Sequence, residues 1–230
     1  TRERDELSVL VDYSSMTKTW YAGALNYFRH LSTTLQRVSL DFVYALPEFT
    51  RPRPTRPISH MTAIPGFATL ALPMRESALV MGLGYEKDRA LGLMEYVDPR
   101  ESFALYADPA QSVKYVSCVQ SNNESLLRRL GEERVMTHPL TGLGTTASLL
   151  SSLCLGLRKT YRVILAPMGP KPVALLCMLL ATRFAGFDVW RVSSGETGHT
   201  EDRKPDGRVL VCRVTFRSSD QERRGDPARK

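Results

Sequence analysis

The sequence predicts an α/β protein built on a Rossmann-like, doubly wound and mostly parallel β-sheet. Short runs of aliphatic and β-branched residues alternate with longer segments of helical spacing along most of the chain. The runs are almost continuously apolar, which is the pattern of strands covered by helices on both faces. The composition fits this fold class, because 43% of the 230 residues are hydrophobic and 24% are charged.

Eight runs are short, apolar and bounded by turn-forming residues. These predicted strands are residues 6–12, 38–45, 78–83, 102–106, 134–137, 161–166, 187–192 and 208–216. Segments with helical spacing are residues 17–31, 86–97, 110–130 (in two pieces), 145–157 and 170–184. Residues 68–72 fit a further short strand or hairpin arm. Because no helix separates the last two strands, we expect them to form an antiparallel edge pair at the C-terminal end.

The pattern predicts a single Rossmann-like domain over residues 1–216. Inside it, residues 46–66 contain five prolines and predict a loop or excursion, because proline removes a backbone donor and disrupts helices and central strands. Residues 217–230 are polar and predict a tail or linker. A linker at that place leaves open that the chain is part of a longer protein.

Composition also limits the partners and the compartment. The longest apolar run, residues 173–181, falls well short of the ~20 residues that a membrane-spanning helix needs. The four cysteines lack CxxC spacing, so we expect buried free thiols in a reducing, cytoplasmic environment. The four histidines are dispersed, so we expect neither a metal nor a cofactor. The net charge of +7 permits an anionic partner, and solvated surface charge is the competing interpretation.

Polar residues follow the first predicted strand, at the kind of sheet edge where α/β proteins bind ligands. They are Asp12, Ser14, Ser15 and Thr17, and a helix follows them. Ser14 or Ser15 fits a helix N-cap; the alternative is that the hydroxyls and helix amides hold a phosphate or another anion. Asp12 ends a buried strand, so it needs a solvated cleft or a bonding partner, and it is a candidate acid or base.

Two turns that contain glycine follow later strands, and we expect them to converge with the residues after the first strand at one edge of the sheet. Gly84 and Glu86 come after one strand, and Arg89 lies three residues beyond Glu86. Glu86 is interpreted either as a first-turn acid that the helix dipole stabilises or as a ligand-facing acid beside Arg89. Gly169 and Lys171 lie between another strand and a helix. A cation opposes the dipole of a helix N-terminus, so Lys171 either binds an anion or points to solvent.

Asn122 and Asn123 lie inside the predicted helical stretch 110–130, where asparagine is mildly unfavourable. We interpret them as a break or cap that divides the helix in two. Side-chain amides placed in the ligand pocket are the alternative.

The loop with Ser14, Ser15 and Thr17, together with the turn Met168-Gly169-Pro170-Lys171, resembles the CARF family of nucleotide-sensing, CRISPR-associated Rossmann-fold domains. That family carries a Ser/Thr loop after its first strand and a Gly-Gly-Thr-Lys-like turn after a late strand. Here one glycine replaces two, and proline stands where threonine is expected. The resemblance implies a homodimer that binds a cyclic oligonucleotide, with Lys171 on its phosphates and a fused or associated effector as partner.

Three hypotheses of function follow, and whether the protein is an enzyme stays open among them. The first is a sensor that binds an anionic nucleotide at the C-terminal edge of the sheet, in a defence or signalling system. The second is a nucleotide- or nucleoside-processing enzyme of the glycosidase or transferase type, with Asp12 and Glu86 as acid, base or nucleophile. The third is a scaffold whose basic residues 51–56 hold nucleic acid, with binding that falls steeply with salt.

Overall fold

The structure is a computed structural model that describes residues 6–51, 57–69, 75–193 and 203–218. The strands are β1 (Glu6–Asp12), β2 (Arg37–Pro47), β3 (His60–Ala63), β4 (Ser77–Gly82), β5 (Glu101–Ala107), β6 (Val135–His138), β7 (Arg162–Pro167), β8 (Phe187–Ser193) and β9 (Pro205–Arg217). The α-helices are α1 (Lys18–Leu31), α2 (Arg89–Val97), α3 (Val113–Asn122), α4 (Glu124–Leu130), α5 (Leu143–Leu157) and α6 (Lys171–Arg183).

The chain divides into two compact units. The small unit comprises Thr1–Leu46 and Pro205–Lys230, and the large unit comprises Pro47–Lys204. The two ends of the large unit lie side by side. The backbone N–H of Glu48 donates to the carbonyl of Lys204 at 2.8 Å. The single domain that the sequence predicts over residues 1–216 stays a prediction.

The small unit holds a three-stranded mixed sheet in the order β1-β2-β9. β1 is parallel to β2. β9 runs antiparallel to β2, because Ser39 contacts Thr215 while Asp41, two residues on, pairs with Arg213. Alternate residues of β2 are buried, so one face of this sheet forms the core and the other does not.

Tyr13 is at the centre of the small-unit core. Its ring centroid lies 5.2 Å from that of Tyr21 in α1 and 5.9 Å from that of Phe42 in β2. Burial raises the pKa of the Tyr13 phenol well above its ordinary value. Tyr13, directly after β1, therefore packs between α1 and the three-stranded sheet.

The large unit holds a six-stranded sheet in the order β3-β8-β7-β4-β5-β6. Adjacent strands of this sheet are parallel, except that β3 is antiparallel to β8. The chain passes from β4 to β5 and β6 in one direction, and from β7 to β8 in the other. Right-handed crossovers therefore put α2, α3 and α4 on one face and α5 and α6 on the opposite face. The packing agrees, because Leu93 of α2 and Leu126 of α4 share a core cluster with Met81 of β4.

An ion pair between the half-buried Arg162 and the buried Asp188 connects the two strands β7 and β8. The carboxylate of Asp188, which has no solvent exposure, accepts a hydrogen bond from Nε of Arg162 at 2.6 Å. It also accepts a hydrogen bond from the backbone N–H of Thr69. The carboxylate therefore has a charged partner and a backbone donor in the core, as a buried charge requires.

The α/β class and the mostly parallel sheet are confirmed, but the predicted C-terminal edge pair is wrong. β8 pairs with β7 and β3, whereas β9 pairs in the small unit. The antiparallel partner of β8 is β3, which lies inside the proline-rich residues 46–66 that predict a loop. β3 is an edge strand, a position in a sheet that tolerates proline. Residues 68–69 are not in a strand, and residues 52–56, 70–72 and 219–230 lie outside the described residues.

Candidate functional site

The strand order of the large unit reverses between β4 and β7. The connection after β4 turns to one face of the sheet and the connection after β7 turns to the other, which is the arrangement at which open α/β sheets bind ligands, at the carboxyl end of the strands. The loop and helix start after β4 carry Gly84, Glu86 and Arg89, and those after β7 carry Gly169 and Lys171. Five predicted ligand residues therefore lie at this switch point.

The two glycines let the loops after β4 and β7 pack against each other. A Cβ added to Gly84 would lie 2.5 Å from the carbonyl oxygen of Met168, and one added to Gly169 would lie 2.5 Å from that of Leu83. The N–H of Met168 also donates to the carbonyl of Gly82 at 2.7 Å. Close backbone approach thus explains both glycines, independently of any ligand.

Glu86 and Arg89 form an ion pair at the switch point. Oε1 of Glu86 lies 3.7 Å from Nη1 of Arg89, and the two side chains are 36% and 16% exposed. The helix predicted from residue 86 begins at Arg89, so the pair joins the loop to the first turn of α2. Nε of Arg89 is buried and has no hydrogen-bond partner among the described residues. The pair offers an acceptor and a cation side by side.

Lys171 is the first residue of α6, and Pro170 is the N-cap. The sequence of this first turn (KPVA) has no acidic residue. Pro170 and Pro172 have no N–H to donate, and the N–H of Val173 donates to the carbonyl of Pro170 at 3.1 Å. This helix end therefore has few backbone donors for an anion, and its main positive group is the half-buried Lys171.

Tyr85 adds an aromatic ring to the loop after β4. Its centroid lies 5.8 Å from that of Tyr115, and the guanidinium of Arg203 lies 5.5 Å from the centroid. Burial raises the pKa of the Tyr85 phenol to about 12, although the Arg203 charge opposes this effect. The sequence does not mark Tyr85 as a site residue, because one aromatic residue in a turn carries no specific signal.

The side chains of Asn122 and Asn123 bind the backbone of the loop after β4. Nδ2 of Asn122 donates to the carbonyl of Tyr85 at 2.6 Å, and Nδ2 of Asn123 donates to the carbonyl of Gly84 at 2.8 Å. The predicted helix break is confirmed, since α3 ends at Asn122 and α4 begins at Glu124. The amides bind the backbone of the loop, a role that the sequence analysis missed; the only signal is two adjacent asparagines at a helix break.

The residues after β1 form a separate cluster in the small unit. Oδ1 of Asp12 accepts hydrogen bonds from the N–H of Ser14 at 2.9 Å and from its hydroxyl at 2.6 Å. The Ser14 hydroxyl in turn accepts one from the N–H of Ala45 at 2.8 Å. The N-cap of α1 is Thr17, so the prediction of Ser14 or Ser15 as cap is wrong. These residues follow a strand of the three-stranded sheet, so the expectation that they share a sheet edge with the two glycine turns is also wrong.

The cysteines are all free thiols, but the prediction that they are buried holds only in part. Cys154 and Cys177 are buried, whereas Cys118 and Cys212 are half-buried. Burial raises the pKa of the Cys154 thiol to about 12, which makes this thiol unreactive at neutral pH.

The one buried histidine among the described residues is His138, at the end of β6. The hydroxyl of Thr146 lies 3.2 Å from its Nδ1, and burial lowers the pKa of the imidazole. Within the described ranges, no group of three histidine, cysteine or acidic side chains is placed to hold a metal ion. In the same ranges, no helix has the length and apolar character to cross a membrane.

Comparison of the chain with models of known protein families and with curated protein sequences gives no match. What the structure establishes is the class, an α/β protein with a six-stranded, mostly parallel sheet and a small mixed sheet. Of the fold that the resemblance to CARF domains implies, the α/β class with its mostly parallel sheet is established, and no family is identified.

Proposed function

We propose that the large unit is a sensor domain that binds a small anionic nucleotide at the carboxyl edge of its sheet. The observation that carries the proposal is the strand order, which puts the switch point between the loops after β4 and β7. In open α/β sheets, ligands bind in the crevice at such a point. The two turns that the sequence singles out are the walls of this crevice.

The side chains around the switch point suit the parts of a nucleotide. Lys171 and Arg89 provide positive charge for phosphate. The ring of Tyr85 provides an aromatic surface for a base. Glu86 provides an acceptor for sugar hydroxyls. The resemblance to CARF domains extends the proposal to a cyclic oligonucleotide ligand, a homodimer and an effector partner, in a cytoplasmic defence or signalling system.

Calorimetric titration of the full chain with nucleotides, NAD and cyclic oligonucleotides tests the proposal. We expect at least one of these to bind, and Lys171→Ala to weaken its binding by about tenfold or more, because a charge-assisted hydrogen bond contributes about 1.5–3 kcal/mol. Lys159→Ala is the matched control, since Lys159 is exposed between α5 and β7, at the opposite edge of the sheet. Equal binding by wild type and Lys171→Ala, or no binding at all, would overturn the proposal.

The competing function is the nucleotide- or nucleoside-processing enzyme. Glu86 favours it, because this half-exposed carboxylate stands at the switch point, whereas Asp12 lies in the small unit bonded to Ser14. Mass spectrometry of the titration mixtures decides between the two. Recovery of intact ligand supports the sensor, and conversion by wild type that is lost in Glu86→Gln makes the protein an enzyme. Of the scaffold's residues 51–56, the structure describes only Arg51, which is exposed.

A further inference from the structure

We propose that the backbone N–H groups of Tyr85 and Glu86 hold the phosphate group of the ligand, and that Asn122 and Asn123 are the positioning residues that aim them. This inference rests on the proposed function, because it names the atoms that bind the phosphate in the same crevice. It differs from a helix N-terminal site, since the N-cap Pro170 and the second helical residue Pro172 leave the start of α6 with few donors.

The direction of the two N–H groups follows from the asparagine contacts. The carbonyls of Gly84 and Tyr85 both point to the junction of α3 and α4, where Asn123 and Asn122 bind them. In a trans peptide, the carbonyl of one residue and the N–H of the next point in opposite directions. The N–H groups of Tyr85 and Glu86 therefore both point away from that junction.

The region away from that junction includes the start of α6. α3 and α4 cover one face of the large sheet, and α6 covers the other. The loop after β4 also touches the loop before α6, as the close approach of Gly84 to the carbonyl of Met168 requires. The two N–H groups thus face the crevice whose other wall ends in Lys171.

Among the described residues, none accepts a hydrogen bond from the backbone N–H of Tyr85 or Glu86. Both residues are half-buried, so these two donors are available to a ligand as far as the described part of the chain extends. Successive N–H groups that point to one side form a concavity that binds anions. The loop supplies the hydrogen bonds that Pro170 and Pro172 remove from α6, and Lys171 supplies the charge.

The asparagines suit this role because an amide can donate where a carboxylate cannot. Asn123 is 1% exposed and also donates to the carbonyl of Val119 at 2.8 Å, so it is integral to the core. Asn122 is half-buried and is the better site for a variant. Asn122→Asp keeps the shape of the side chain, removes the donor and puts a negative charge against the carbonyl of Tyr85.

The experiment is a titration of the ¹⁵N-labelled full chain with inorganic phosphate and pyrophosphate, followed by NMR. We expect the amide protons of Tyr85 and Glu86 to show the largest shifts, downfield, with no such shift on adding chloride at equal ionic strength. In Asn122→Asp we expect these shifts to shrink and phosphate binding to weaken at least fivefold. Asn26→Asp, at a half-buried asparagine of α1 in the small unit, is the matched control and should bind as wild type.

The outcomes separate the inference from the proposed function. Phosphate binding that depends on Lys171 but leaves the Tyr85 and Glu86 amides unmoved overturns the inference and keeps the proposed function. Unchanged shifts in Asn122→Asp overturn the positioning role. Absence of any shift with phosphate or pyrophosphate overturns the inference, and absence of nucleotide binding in the calorimetric titration overturns the proposed function as well. Lys171→Ala adds a further check, because it should weaken binding without moving the two amide signals of the ligand-free protein.

Discussion

The close contact of Gly169 with the loop after β4 gives the sharpest prediction about stability. In Gly169→Ala, the added Cβ would lie 2.5 Å from the carbonyl oxygen of Leu83 and 3.1 Å from its carbonyl carbon. Ordinary van der Waals contact begins at 3.4 Å, so the overlap with the oxygen is about 0.9 Å. Both partners are backbone, and the loop must move away from the start of α6. We expect a loss of about 1–3 kcal/mol, as for other overpacked sites.

Urea and thermal unfolding followed by tryptophan fluorescence measure this loss. The chain has two tryptophans, so a Trp20→Phe background leaves Trp190, which packs against the core of the large unit. At about 2–4 °C per kcal/mol for a chain of this length, the melting temperature should fall by about 2–12 °C. Gly156→Ala is the control, because a Cβ there meets nothing within 4 Å and alanine favours the helix. A Gly169→Ala protein as stable as its parent would refute the packing argument.

Three further changes have expected outcomes. Arg162→Ala leaves the buried Asp188 carboxylate without its cation, so urea unfolding should show a loss of about 3–5 kcal/mol; a loss near zero would contradict the buried-pair interpretation. Burial lowers the pKa of His138, so the unfolded chain takes up a proton below about pH 6.5 and the folded protein resists it. Stability should therefore fall between pH 7.5 and pH 5.5, and the fall should be smaller in His138→Asn. Glu86→Gln removes the negative charge of the residue whose N–H is proposed to hold the phosphate, so calorimetry should show tighter phosphate binding; weaker binding would count against that position.

The strands were predictable because burial on both faces leaves a local signature in the sequence. β7 is the example, with residues 161–166 predicted and Arg162–Pro167 observed. The choice of which strands pair with each other leaves no such signature in the local sequence. β9 is as apolar as β8, yet it belongs to another sheet, and only contacts with distant residues such as Asp41 decide this. β3 was hidden because the prolines on both sides of it, Pro57 and Pro65, are typical of loops.

The candidate site also has some features that the sequence predicts and others that it does not. Lys171 and the two glycine turns were predictable, because they directly follow strands whose ends are visible in the sequence. The asparagine contacts were not, since they join residues 37 and 39 positions apart and depend on how α3 and α4 pack beside β4. Ser14 was misassigned as a cap because its hydroxyl binds Ala45, on a neighbouring strand, and not the helix that follows it.

In the sequence, the large unit lies between β2 and β9, and this sets the order in which the two sheets can form during synthesis. A ribosome delivers β1 and β2 first, then all of Pro47–Lys204, and β9 only afterwards. Domains generally fold as they emerge, but the three-stranded sheet cannot be completed until its last strand, β9, has been made. The large unit needs no such wait, since its own two ends are joined by the hydrogen bond between Glu48 and Lys204. A nascent chain halted before residue 205 would have every strand of the six-stranded sheet, and would lack the strand that completes the other.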